Sequence, residues 1–326
     1  MEDHRMRFGV LGTGRITRRL VADLQSTDRV DVTAIASRTS DRAQWYADQY
    51  GIAHAVTGYS VLLDRDDVDA VYLSLPPSMH AEWSIRAAEC GKHVLCEKPL
   101  ALSITEVESI DEACKSSGVR WLDATGWLHH PRTEAFQELL ADKRLGELGH
   151  ITAAVSFYQP FQSGDHRLDP SLGGGCLLDL GWYACGAARF AAGVLPTAVS
   201  AKVLIRQGVP QRLTAILDFP GEVTATISCG YDTATRKWFE VAGSAASLIC
   251  NDFTRPWAER PTRFSLHDAA GNTQTHTIEG SQERHMIQRF ISDDSLDFWQ
   301  RQAMDTQRIL DVAAQSADEG GVRVSV

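Results

Sequence analysis

The first third of the chain alternates short, continuously apolar runs with longer stretches of helical period. Residues 7–11 read as a buried strand, followed by a glycine turn and a helix over 16–25. Residues 32–36 form a second apolar run before a helix over 41–50, and 70–74 a third before a helix over 81–90. Residues 93–96 and a helix over 104–116 complete the rhythm. Strands apolar throughout are buried on both faces, and their alternation with helices predicts a parallel, doubly wound (Rossmann) sheet, an α/β architecture. After about residue 125 the period changes. A helix is expected over 131–142 and a helix over 177–189 behind a triple glycine. Period-two runs follow at 151–157, 198–205, 212–219, 223–230, 239–242 and 263–267, then a closing helix over 295–317. Half-wet strands of this kind belong to a mostly antiparallel open sheet. The expected domains are 1–125, dinucleotide-binding, and 126–326, an α+β domain for substrate binding and oligomerisation whose last helix packs back on the first.

Composition changes the picture little. The 326 residues carry 32 Lys plus Arg against 42 Asp plus Glu, a net charge of −10, and no basic run, which argues against nucleic acid as a partner. The seven cysteines are scattered, with no CxxC pair, which fits a reducing cytoplasm and excludes a zinc ribbon. The polar start, Met1 to Arg5, running straight into a strand, gives no expectation of a signal peptide, and the most apolar stretch, 184–195, is short and carries Arg189, so no membrane partner is expected.

The chemistry begins at Gly9-Val10-Leu11-Gly12-Thr13-Gly14-Arg15-Ile16-Thr17. In the first strand-to-helix turn, Gly12 permits the tight turn and Gly14 lets the backbone approach a pyrophosphate, with the helix N–H groups of Thr13, Arg15 and Ile16 behind them. Thr17 takes the place of the third glycine of the dinucleotide fingerprint. At the end of the second strand stands Ser37-Arg38 rather than an acidic residue. A carboxylate would repel a 2′-phosphate, whereas Arg38 pairs with one, so NADP is the expected cofactor, with NAD as the alternative if Arg38 is only a solvated cation.

A second motif, Glu97-Lys98-Pro99, follows the strand at 93–96 and points to the ligand crevice. With the glycine turn, Leu75-Pro76-Pro77-Ser78-Met79-His80 and the run Leu168-Asp169-Pro170-Ser171-Leu172-Gly173-Gly174-Gly175-Cys176-Leu177-Leu178-Asp179-Leu180-Gly181-Trp182-Tyr183, it gives a chain that resembles the glucose–fructose oxidoreductase/inositol dehydrogenase/rhizopine-catabolism (Gfo/Idh/MocA) superfamily over nearly its whole length. The resemblance implies a lysine, Lys98, touching nicotinamide ribose and substrate hydroxyl. It also implies a loop of Leu75, Pro76, Pro77 and His80 lining the nicotinamide, with Glu97 beside it, and Asp179 and Tyr183 as the paired positions after the triple glycine. Many members carry His at the position of Tyr183; tyrosine is typical of the branch with glucose–fructose oxidoreductase, dihydrodiol dehydrogenase, xylose dehydrogenase and some sugar ketoreductases. Trp127-Leu128-His129-His130-Pro131 departs from the family pattern, which has Arg at the place of Leu128, and Pro77-Ser78 replaces a common Pro-Asn pair.

The residues also suggest a mechanism. Asp179 and Tyr183, four apart on an expected helix, share a face. A phenol titrates near ~10 unless a neighbouring ammonium lowers it. Tyr183 is therefore the expected proton-transfer group, Lys98 the stabiliser of the substrate oxygen, and Asp179 the residue that orients Lys98 or a substrate hydroxyl. Trp127, His129 and Arg167 are the expected substrate contacts, although a histidine of the 129–130 pair also suits a structural role and Arg167 an ion pair. No metal site is expected. These readings together indicate an NADP(H)-dependent oxidoreductase acting on a sugar, cyclic polyol or dihydrodiol, with a nucleotide-sugar ketoreductase and a non-catalytic sensing regulator as the competing readings, and a homodimer or homotetramer as the assembly.

Overall fold

A computed structural model describes residues 5–14, 16–255, 260–292 and 294–326. Arg15, expected in the phosphate turn, lies outside the described residues. The chain divides into two compact units: Met1–Thr125 with Glu283–Gln300, and Gly126–Gln282 with Arg301–Val326. The expected second domain is thus interrupted, because residues 283–300 belong with the first.

In unit 1 the elements are β1 (Met6–Leu11), α1 (Thr17–Gln25), β2 (Val30–Ser37), α2 (Ser40–Tyr50), β3 (His54–Thr57), α3 (Tyr59–Leu63), β4 (Ala70–Leu73), α4 (His80–Glu89), β5 (His93–Cys96), α5 (Ile104–Ser116) and β6 (Trp121–Asp123). The six strands pair in parallel in the order β3-β2-β1-β4-β5-β6. This is the doubly wound order whose ligands bind outside the carboxyl ends of the strands. Phe8, Val10, Leu11, Ile35, Val71, Tyr72, Val94 and Leu95 are fully buried, as continuous apolar strands between helical layers must be.

Unit 2 contains α6 (Pro131–Ala141), β7 (Leu148–Ser156), α7 (Cys176–Asp179), α8 (Gly181–Ala192), β8 (Ala198–Arg206), β9 (Val209–Asp218), β10 (Thr224–Gly230), β11 (Arg236–Gly243), β12 (Ala246–Cys250), β13 (Thr262–Asp268) and β14 (Thr273–Ile278). The chain ends with α9 (Gln282–Ile291), α10 (Asp297–Asp318) and β15 (Val324–Ser325). The sheet order is β14-β13-β12-β11-β7-β10-β9-β8-β15, antiparallel except where β10 runs parallel to β7. Along β9 the side chains of Leu213, Ala215 and Leu217 are buried while Arg212, Thr214 and Ile216 are exposed, the period-two pattern of a sheet covered on one face. Buried against the covered face, Arg189 of α8 pairs with Asp305 of α10 at 2.7 Å, and Gln302 Nε2 donates to Gly186 O at 2.8 Å.

The helix expected over 177–189 is two helices. The amide of Tyr183 donates to Leu180 O at 3.1 Å, and a short α7 gives way to α8 at Leu180. Asp179 and Tyr183 therefore do not share one continuous helical face. Gly181 sits at the junction, where a Cβ would lie 3.1 Å from Leu310 Cδ2, so a larger residue would disturb the packing.

Candidate active site

The carboxyl ends of β1, β2, β4 and β5 carry the residues expected to hold the cofactor. Gly12 has φ +105°, and a Cβ there would sit 2.2 Å from Ser74 O, so the turn after β1 closes on the end of β4 only because residue 12 lacks a side chain. Thr17, in the third-glycine position, is fully buried and donates to Ser74 Oγ at 2.8 Å, tying the start of α1 to the same point. Thr13 Oγ1 lies 3.4 Å from Ser37 Oγ. Arg42, in the first turn of α2, donates to Thr13 Oγ1 at 2.8 Å and to Thr13 O at 2.6 Å, and Tyr46 Oη donates to Gly14 O at 3.0 Å. The turn is thus held from three sides.

Arg38 is exposed just beyond β2. Burial raises the pKa of Tyr59, while Arg38 and Arg42 both pull it down, so the two guanidinium groups act on one neighbourhood. Arg42 escaped the sequence reading, although a cation four residues after Arg38, in the helix turn that follows β2, was a usable signal.

The second motif is braced by its neighbours. The Lys98–Pro99 peptide is cis, and Lys98 is half-buried. Tyr72 Oη, in the fully buried middle of the sheet, donates to Glu97 Oε1 at 2.7 Å. Burial first, and then Glu97, push the Tyr72 phenol well above its ordinary value, so it remains a donor. His80 differs from its expected role. It is 1% exposed, with Nδ1 at 2.7 Å from Pro99 O and Nε2 at 2.9 Å from Leu75 O. It fastens the loop after β4 to the loop carrying Lys98 instead of presenting its ring to a cofactor. Pro76 and Pro77 remain partly exposed on that loop, and Leu75 is mostly buried at 9%.

In unit 2, Asp179 Oδ2 accepts from Arg167 Nε and from Tyr231 Oη, each at 2.9 Å. Desolvation works against the Arg167 guanidinium, but Asp179, Tyr231 and Asp165 outweigh it and raise its pKa. Burial first, then Asp179, raises the Tyr231 phenol far above its ordinary value, which keeps it a donor. Arg167 therefore takes the ion-pair role. Tyr231, 52 residues away in sequence and just past β10, gave no signal. Tyr183 is half-buried at the start of α8.

Two expected substrate contacts are corrected. Trp127 is 0% exposed and packs edge-on against Phe190 and Phe253 at 5.5 and 5.2 Å, a core role rather than a cleft wall. His129 is likewise fully buried. His130 is a helix cap: its Nδ1 accepts from Arg132 N at 2.9 Å at the start of α6. Among the described residues no group of three or more His, Cys, Asp or Glu is placed to hold a metal ion, and no helix is long and apolar enough to cross a membrane.

Residues 6–124 match the oxidoreductase family with an NAD-binding Rossmann fold, and residues 133–249 match the GFO/IDH/MocA C-terminal domain. The chain is 36% identical over 247 residues to D-xylose 1-dehydrogenase (NADP(+)) 2 of Haloferax volcanii, covering 76% of each protein. It is 36% identical over 273 residues to the dTDP-3,4-didehydro-2,6-dideoxy-alpha-D-glucose 3-reductase of Streptomyces antibioticus, covering 82% of each. The crystal structure of a 3-ketoreductase from Actinomadura kijaniata in complex with NADP and TDP-benzene superposes with a TM-score of 0.88 at 29% identity, over 96% of this chain and 98% of that one. With both halves matched and relatives above 30% identity across three quarters of its length, the chain belongs to the Gfo/Idh/MocA oxidoreductases.

Proposed function

We propose that the chain is an NADP(H)-dependent oxidoreductase moving hydride between the nicotinamide and a carbinol or carbonyl of a sugar, cyclic polyol or dihydrodiol, with Lys98 and Tyr183 serving the substrate oxygen. One observation carries the cofactor half of this reading. The carboxyl edge of the parallel sheet joins a glycine turn to Ser37, Arg38 and Arg42, where an NAD-preferring chain places a carboxylate. A 2′-phosphate meets two guanidinium groups there and no repelling acid at the end of β2. When bound, the nicotinamide supplies the hydride donor or acceptor that no side chain provides.

The remaining chemistry belongs to the chain. Lys98 holds the substrate oxygen and stabilises the negative charge that develops on it. Tyr183 takes the hydroxyl proton in oxidation and returns it in reduction. Asp179 acts by position: held by Arg167 and Tyr231, it fixes the junction from which α8 and Tyr183 begin.

The similarity to dTDP-sugar 3-reductases favours a second reading, reduction of a nucleotide-linked keto-sugar. Following NADPH absorbance with dTDP-keto-sugars, and NADP+ reduction with free pyranoses, inositols and dihydrodiols, separates the two. NADP binding without turnover on either panel would instead identify a sensing regulator. For the proposed roles, Lys98→Ala should bind NADP normally and lose most turnover; wild-type turnover would overturn them. The assembly we propose is a homodimer or homotetramer formed through the open face of the unit 2 sheet, testable by sedimentation. Seven free thiols fit the cytoplasm as its compartment.

A further inference from the structure

Helix α2 meets the glycine turn with two side chains one helical turn apart. Arg42 Nη2 donates to Thr13 O at 2.6 Å, and Tyr46 Oη donates to Gly14 O at 3.0 Å. Residues four apart share a face of a helix, so successive turns of α2 hold successive carbonyls of the loop. A trans peptide sets its N–H opposite its carbonyl, so the hold on Thr13 O aims the Gly14 N–H away from α2. The bond from Tyr46 draws the Gly14 carbonyl, with its partial negative charge, to the α2 side. An anion at the start of α1 is bound by backbone N–H groups and repelled by any carbonyl oxygen that faces it.

Tyr46 is itself set by Arg18. Its ring is in a residue only 2% exposed, stacked on Tyr50 at 6.1 Å and edge-on to Trp45 at 4.9 Å. The Arg18 guanidinium lies over Trp45 at 5.3 Å and over Tyr46 at 5.9 Å, and its Nε donates to Tyr46 Oη at 3.4 Å. A hydroxyl has one proton and accepts through its lone pairs. With Arg18 on the accepting side, the proton goes to Gly14 O. Phenylalanine would fill the same space among these rings, so packing accounts for the ring and not for the hydroxyl.

We infer that Tyr46 is a positioning residue for the cofactor: given the site proposed at the glycine turn, its hydroxyl, oriented by Arg18, holds the Gly14 carbonyl clear of the pyrophosphate. Tyr46 thereby sets affinity for the diphosphate bridge whatever the 2′ substituent, while the choice between NADP and NAD stays with Arg38.

Tyr46→Phe removes that hydroxyl alone. Calorimetry on the full chain, titrated with NADP, NAD, ADP and adenosine 2′-phosphate, reads the effect without turnover. The ligands that carry a diphosphate should each weaken about fivefold, and adenosine 2′-phosphate, which has none, should bind as before. Unchanged affinity for ADP would overturn the role. So would an equal loss for adenosine 2′-phosphate, the result of a general loosening of the unit. Gly12→Ala tests the site itself. If it binds ADP as the wild type does, the glycine turn is not the phosphate site and the role of Tyr46 falls with it; loss in Gly12→Ala with none in Tyr46→Phe overturns Tyr46 alone. Arg18→Met keeps an apolar stem over the rings and removes the donor. It should weaken ADP about twofold in the wild-type chain and no further in Tyr46→Phe. An additive loss would mean that Arg18 meets the phosphates directly and would overturn its part.

Discussion

Tyr231→Phe deletes one hydroxyl from a ring that is 1% exposed and otherwise keeps its shape, so it tests the Asp179 cluster without opening a cavity. The lost contact is a hydrogen bond of 2.9 Å to a carboxylate oxygen. Bonds to a charged acceptor contribute about 1.5–3 kcal/mol. The carboxylate keeps Arg167 Nε at 2.9 Å and is 18% exposed, so water replaces part of the loss and the lower half of that range applies, about 1.5–2 kcal/mol. For a domain of ~150–250 residues each kcal/mol moves the melting temperature about 2–4 °C, so a fall of roughly 3–8 °C is expected by calorimetry. If Asp179 acts by fixing the start of α8, kcat should also fall while KM for the cofactor stays level. An unchanged melting temperature, or a fall in stability with kcat intact, would refute the positioning role.

Other consequences are as direct. Arg38→Ala should raise KM for NADP about tenfold and leave NAD almost unaffected, whereas Arg42→Ala, which also releases Thr13 in the glycine turn, should weaken both cofactors; steady-state kinetics with NADP and NAD measures this, and equal losses in Arg38→Ala would point to the pyrophosphate instead. Gly12→Ala meets Ser74 O and a φ of +105°, so cofactor fluorescence titration should show binding lost with the chain still folded. Alkaline pH should destabilise the fold. Burial pushes the Cys114 thiol from about 9 up to about 12, so the folded state keeps a proton that the unfolded state releases. Stability is complete below pH ~9 and falls as pH rises from there towards 12, with Cys96 and Tyr72, also raised chiefly by burial, acting in the same direction. A melting temperature flat between pH 8.5 and 10.5 would contradict this.

The parts of the fold visible in the sequence are those where burial imposes a pattern. β1, β2, β4 and β5 are wet on neither face and therefore read as unbroken apolar runs. β3 is an edge strand with one buried side chain and β6 has three residues, too little for any period to register. β14, Thr-Gln-Thr-His-Thr-Ile, has no buried side chain and so carries no apolar alternation. α9 went unseen although Met286, Ile287 and Phe290 have helical spacing, because polar residues fill the rest of it. At the site, glycine and strand-end positions were legible because backbone geometry dictates them. Trp127 and His129 were misplaced because an aromatic residue beside a His-His-Pro turn has the same composition in a core as in a cleft. Tyr231 was missed because only tertiary pairing brings it to Asp179.

The nucleotide-type unit is not encoded as one contiguous stretch. Phe290 of α9 packs on Phe8 with ring centroids 5.8 Å apart, its carbonyl accepts from Arg120, and Glu283 pairs with Arg19 at 2.9 Å. A gene fragment ending at codon 125 would express that module without part of its covering layer. Recombination that swaps cofactor preference between relatives must therefore carry two separated segments, or graft only the short β2–α2 turn.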